Sequence, residues 1–178
     1  DLSFSRPVVI SDLKSSRGVL EPDVVMLPSN RIVAIFRGSN VESEKWNTRI
    51  EPGIPAHKWY CYSDDGGKTF TDPVPWHFDN REVFYSGSNI HQFVRSIKNG
   101  KVYWIGNISD HNTYGNHPRY PLVIAEVNDR GLLKRETMTI IDTRSEGDGE
   151  LLQLSNFSIL QDRESGLIEL YVTKLGQR

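Results

Sequence analysis

Carboxylates, imidazoles, guanidiniums and a phenol recur in a few stretches of this sequence. They are Glu21 and Asp23, then Arg37, then His91, then Asn107, Asp110, His111, Tyr114, His117 and Arg119 within one polar segment, and Asn156 farther on. Asp23, His91, Asp110 and Tyr114 are the residue types that transfer protons or attack as nucleophiles. Glu21, Arg37, Asn107, His117, Arg119 and Asn156 are types that fix hydroxyls and a carboxylate through charge-assisted hydrogen bonds. Each has a structural alternative. Glu21 and Asp23 can cap backbone N–H groups near a strand start, and His91 can be a hydrogen-bonded buried histidine. Glu42, Glu44, Arg49 and Asp142 read as solvated loop charges. Trp46, Tyr85 and Tyr114 can stack on sugar rings or pack locally. His91, His111 and His117 fall at irregular spacing in separate loops that matches no ligand motif, so neither a metal nor another cofactor is expected.

The elements that position these groups are strands. Helix-period patterning is nearly absent, whereas short β-branched and aromatic runs bounded by Gly, Pro, Asn and Asp recur along the chain, which makes the class all-β. Strands are expected at 7–10, 23–27, 32–36, 58–62 and 69–76, then at 91–96, 102–105, 121–127 and 132–141, then at 154–161 and 167–174. The order of strand and turn repeats as two four-stranded meanders, approximately 12–76 and 89–141, and an incomplete third at 152–178. Radial repetition of such units builds a β-propeller, and a β-sandwich is the alternative. The turns at 28–30, 64–67, 98–100, 128–131 and 163–166 are short, and in alternating strands they fall on one face. The segments 38–57, 77–90, 107–119 and 142–153 are long and polar and fall on the other. Long loops on a short-turn scaffold carry function, so the candidate residues are expected on that second face.

One of the short turns has a recognisable spacing. After Trp59-Tyr60-Cys61-Tyr62 comes Ser63-Asp64-Asp65-Gly66-Gly67-Lys68-Thr69-Phe70, in which two glycines allow positive φ, Asp65 can accept from the turn's N–H groups and Phe70 can pack beneath. This Ser-x-Asp-x-Gly-x-Thr-Phe pattern, with structural positions Ser63, Asp65, Gly67, Thr69 and Phe70, resembles the Asp-box of the bacterial neuraminidase repeat (BNR). The runs 20–28, 32–37, 121–127 and 154–158 with Asp162-Arg163-Glu164 are similar to sialidase-like propeller proteins of the same kind. The resemblance implies a sialidase-like β-propeller, six-bladed when complete, of which about two and a half blades are present. Further blades from the same protein or another chain would then close the ring. It also implies a carbohydrate-active enzyme, a glycoside hydrolase acting on a glycan, with an acidic sugar as one candidate substrate. The alternatives are a lyase acting on a uronate-containing glycan and a non-catalytic glycan-binding propeller. Sialidases hold a carboxylate with three arginines, the first in an Arg-Ile-Pro motif. The comparable place here reads Leu20-Glu21-Pro22, and a glutamate there repels a carboxylate.

Composition narrows the partners. A chain of 178 residues with 25% charged and 37% hydrophobic residues can bury one sizeable core. A formal charge of −2 offers no basic face for nucleic acid, and no apolar run approaches the roughly 20 residues that span a bilayer. Carbohydrate remains the expected partner. The single cysteine, Cys61, sits in an aromatic strand and reads as a buried thiol. No signal peptide is visible and the sequence starts at Asp1, so the compartment stays open, with secretion or a periplasmic location compatible.

Overall fold

The computed structural model of the chain describes residues 7, 8, 10, 20–38 and 56–176. Its architecture is antiparallel β. The strands are β1 (Leu20–Met26), β2 (Ile32–Arg37), β3 (Lys58–Ser63), β4 (Val74–Pro75), β5 (Gln92–Arg95), β6 (Val102–Asn107), β7 (Leu122–Val127), β8 (Thr139–Asp142), β9 (Phe157–Gln161) and β10 (Ile168–Val172). Arg135–Thr137 form a 3₁₀ turn, and the described residues contain no α-helix. β1 to β4 pair in sequence order as one four-stranded sheet, β5 to β8 as a second, and β9 with β10 as a hairpin.

Alternation along the central strands explains the layering. In β2, Val33 and Ile35 face a core shared with Trp104, Val123, Ala125 and Val127 of the second sheet, whereas Ala34 and Phe36 face the opposite way with Cys61. In β7, Leu122 and Ile124 turn to the third unit and meet Leu152, Leu154, Phe157 and Leu170. The middle sheet is therefore covered on both faces, which is why β6 and β7 read as nearly continuous apolar runs rather than as alternating ones. Trp76 and Trp104 meet edge to face at 5.3 Å in the first core, and Trp76 Nε1 donates to Gly131 O at 2.8 Å. Gly131 has φ +87°, and a Cβ there would lie 2.7 Å from Val33 Cγ2, so both backbone and space require glycine.

The strand boundaries differ from expectation where side chains capture the ladder's donors. The expected 69–76 strand shrinks to Val74–Pro75, because Asp65 takes the N–H groups of Lys68 and Thr69 and prolines 73 and 75 have none to give. The expected 132–141 strand is broken by the 3₁₀ turn, where Lys134 N still bonds Glu126 O but Thr137 Oγ1 takes the N–H of Glu126. Residues 152–155 precede β9 rather than joining it: Leu154 N donates to Arg119 O and Gln153 N to Leu175 O, tying the third unit to the second. Residues 7, 8 and 10 are not in a strand, and Val9 lies outside the described residues.

The two ends of the sheets differ in construction. At one end the turns are short and capped locally. Asn128 Oδ1 accepts from Arg130 N and Leu132 N, and Asp162 Oδ1 from Glu164 N and Ser165 N. In the 63–70 turn, Ser63 Oγ donates to Asp65 Oδ1 at 2.7 Å. The Asp65 carboxylate also accepts from Lys68 N, Thr69 N and Thr69 Oγ1, and Phe70 packs against the Ala34–Phe36–Cys61 cluster. Those bonds, led by the one from Thr69 N, hold the Asp65 carboxyl far below the usual carboxylate range. The long connections gather at the other end, which contains the start of β1, the end of β2 and the start of β3.

Candidate functional site

Register places Arg37 opposite Lys58, while Ser63, where the 63–70 turn begins, lies opposite Ile32. Five residue steps along β3 separate the two ends, about 17 Å of strand. In the second sheet Asn107 pairs Leu122 and Gln92 pairs Ile105, so the segments 77–91 and 107–121 emerge at the same end as Arg37. Hydrogen bonds between them fix the junction. Ser86 N donates to Ala56 O, Ser86 Oγ to Asn107 O at 2.7 Å, and Ala56 N to Asn112 Oδ1.

A cationic cluster results. Arg37 Nη1 lies 2.9 Å from Glu21 Oε2 and 3.5 Å from Ser88 O. Glu21 reaches it from a bulge in β1 at which the Leu20–Arg37 and Asp23–Ile35 pairings fall out of register, and its own φ is +47°. Ser88 N donates to Gly115 O at 2.8 Å, and the Asn116 amide donates to Ser88 O at 2.6 Å and accepts from Arg119 Nη2 at 3.3 Å. Arg119 continues to Gln153 Oε1 at 2.8 Å and Ser155 Oγ at 3.1 Å. One polar network thus runs from the first sheet through the 107–121 segment to residues 153–155, and the nearby Arg37 cation adds to burial in pulling the Arg119 guanidinium below its ordinary value.

Beneath the network lies Lys58, fully buried. Its Nζ donates to Asn89 O at 2.6 Å, Asn89 Oδ1 at 2.9 Å and Gly87 O at 3.1 Å. Burial first, and the charges of Arg37 and Arg119 in addition, push its pKa well below that of a free lysine. Arg37 Nε, Ser88 Oγ and Asn89 Nδ2 are buried here without hydrogen-bond partners. Buried polar atoms without a partner in the protein are rare in folded chains, and these three lie in one cluster.

Not every expected residue joins this cluster. His91 does, but from below: it is 4% exposed, its Nε2 lies 3.3 Å from Ile35 O and its ring lies 6.2 Å from that of Trp104. Burial, with the Lys58 charge second, pushes it down to about 3, so it is neutral at physiological pH and sealed from solvent. Asp23 joins β1 to β5: Oδ1 accepts from Val24 N at 2.9 Å and Oδ2 from Phe93 N, while burial raises its pKa. Asn107 is an anchor whose Nδ2 donates to Arg119 O, Pro121 O and Leu154 O. His117 stands beside Arg119, its Nδ1 buried and unpartnered and its pKa lowered by burial and by that cation. Tyr114 is 67% exposed at the tip of the 107–121 segment, where it brackets a tight bridge with His117. Asp110 turns away to pair with His111, and Asn156 borders an open hollow with Ile90 and Tyr171. Trp46, Glu42, Glu44 and Arg49 lie outside the described residues. No three His, Cys, Asp or Glu side chains gather as a metal-ligand group among the described residues, and none of their helices is long and apolar enough to cross a membrane.

Sequence reading missed Lys58, Ser88, Asn89, Asn116 and Gln153. The one available signal was Lys58 itself, a cation opening an aromatic strand at the long-loop end. No family model matches the sequence, and no curated protein matches it. Among solved structures, a crystal structure of an unknown-function protein from Dyadobacter fermentans DSM 18053 aligns over 97% of this chain at 16% identity, with a TM-score of 0.55. This chain spans 48% of the length of that one, and at such identity the likeness is one of fold alone.

Proposed function

We propose that the chain is part of a sialidase-like β-propeller whose long-loop end engages an acidic sugar of a glycan, with glycoside hydrolysis as the reaction. The observation that carries this reading is the meeting of Arg37, Lys58 and Arg119 at the strand ends opposite the 63–70 turn, with unpartnered buried donors beside them. The fold supports it through two successive four-stranded meanders whose first strands, β1 and β5, touch.

In this reading Arg37 and Arg119 hold the sugar carboxylate. Lys58 acts through the 87–89 backbone, which it ties down, and so positions Ser88 between the two guanidiniums. Glu21 already occupies one edge of Arg37, so an acidic ligand displaces or shares that contact. Asp23, whose carboxyl is raised by burial, is the proton donor that a hydrolase requires, and Tyr114 is the accessible nucleophile. A second reading, binding without turnover, is favoured by the engagement of both Asp23 oxygens with backbone N–H groups. The lyase alternative retains His117 and Tyr114 as its proton acceptors, since His91 is sealed from solvent.

Incubation with a panel of uronate- and sialate-bearing oligosaccharides separates these readings. New reducing ends without unsaturated-uronate absorbance support the hydrolase, with that absorbance the lyase, and binding alone the module. Arg37→Ala is expected to lower acidic-sugar turnover or affinity by about two decades, the scale of one lost charge-assisted contact in a desolvated site. Lys98→Ala, at the short-turn end, is expected to change neither. Equal activity of Arg37→Ala and the parent overturns the proposal.

A further inference from the structure

The residues flanking Arg119 line a different space. Pro118 and Tyr120 border a cleft of about 580 Å³ walled by the stretches 78–85, 108–121 and 135–143, which does not include Arg119. We propose that this cleft is a binding site for an uncharged sugar, separate from the arginine cluster. The inference rests on the glycan reading of the chain but requires neither turnover nor Arg37.

Three observations converge. The cleft has the size and makeup of small-ligand sites: a mostly apolar wall with a few polar groups at the rim. Its floor is rigid, because Phe78 and Phe84 are buried and in ring contact at 5.1 Å, Ser109 N bonds Tyr85 O, and Tyr85 stacks on His57 at 5.7 Å. Half-buried Tyr85 and Tyr120 both line the cleft, and a side chain that joins a ring to a hydroxyl suits the apolar face and polar edge of a pyranose.

The rim decides the charge of the ligand. Glu82 pairs with Arg135 at 3.2 Å, and Asp110 accepts from His111 at 2.5 Å. That bond holds the Asp110 carboxyl below its usual range and therefore ionised at neutral pH. Each rim carboxylate is already engaged, Glu82 by Arg135 and Asp110 by His111, so these pairs offer a sugar carboxylate no unengaged cation while their remaining oxygens can accept from neutral hydroxyls. The arginine cluster has the opposite preference, and the 107–121 segment divides the two.

The test is an NMR titration of the chain with cellobiose, lactose and glucuronic acid, repeated on Asp110→Ala and Thr143→Trp. Both positions are exposed, and their melting temperatures are measured alongside. A neutral disaccharide is expected to shift resonances of Tyr85, Tyr120 and Thr143 at millimolar concentration. Asp110→Ala is expected to weaken that binding about tenfold and Thr143→Trp, which fills the mouth, to abolish it. Absence of these shifts with either disaccharide, their survival in Thr143→Trp, or equal occupancy by glucuronic acid overturns the proposal. Neutral binding here without any glucuronic-acid effect near Arg37 upholds it and overturns the acidic-sugar reading, and the converse result does the reverse.

Discussion

Burial moves Lys58 and His91 in the same direction, toward their neutral forms, although their partners differ. Lys58 Nζ meets three oxygen acceptors, whereas burial and the Lys58 and Arg37 cations outweigh the backbone contacts of His91 with Ile35 and Asn89. A histidine held near 3 when folded and near 6.5 when unfolded makes the unfolded chain the better proton binder between those values. Its contribution is therefore complete above about pH 6.5 and is lost as pH falls toward 3. At 1.36 kcal/mol per unit, the loss by pH 4 is about 3 kcal/mol. Asp23 opposes it, since a raised carboxyl favours the folded state as pH falls toward the ordinary carboxylate range. The readout is therefore the difference between urea unfolding profiles of the parent and His91→Gln, from pH 7 to 4. The variant is expected to lose less stability on acidification, and parallel profiles overturn the placement of a neutral imidazole in the core.

At the scale of elements, the 63–70 turn shows how a local hydrogen-bond set replaces a strand. Asp65 satisfies the donors that would otherwise have continued the β3–β4 ladder, and Gly66 and Gly67 adopt φ of +75° and +85° to present them. The turn lies at the far end of β3 from Arg37, so it is coupled to the site only through the stability of the sheet. Asp65→Ala is accordingly expected to lower the melting temperature by several degrees while leaving ligand affinity of the folded protein unchanged. Loss of affinity with unaltered melting would show that the turn belongs to the site. The 107–121 segment has the opposite character: Asn107 and Arg119 brace it against residues 153–155, and it presents Tyr114 to solvent.

At the scale of the molecule, the three units differ in strand number. The first two sheets have four strands each, whereas the third is a hairpin. On the hairpin's outer face Leu160 and Tyr171 are 54% and 58% exposed, and among the described residues β10 pairs in a ladder with β9 alone. An open strand edge beside exposed apolar side chains favours association. The isolated 178-residue chain is expected to self-associate in sedimentation velocity or to become monodisperse only with further strands of its own protein. A cooperatively melting monomer would remove the argument for a partial propeller.

The all-β class and the order of strands and short turns were legible in the sequence because they rest on local chemistry. Asn128, Asp162 and Asp65 cap turns within four residues of themselves, and alternation assigns the side chains of β2 and β7 to two faces. Alternation does not say which neighbour covers a face, and the roles of the charged residues depended on that. Asp23 meets Phe93 across 70 positions, His91 meets Ile35 across 56, and Lys58 meets Asn89 across 31. These partners are chosen by the stacking of one sheet on the next, which buries an imidazole and an ammonium and ties down a carboxylate. Only the tertiary structure could therefore decide that Arg37 and Arg119 share one network while Asp110, on the same segment as Arg119, faces another cleft.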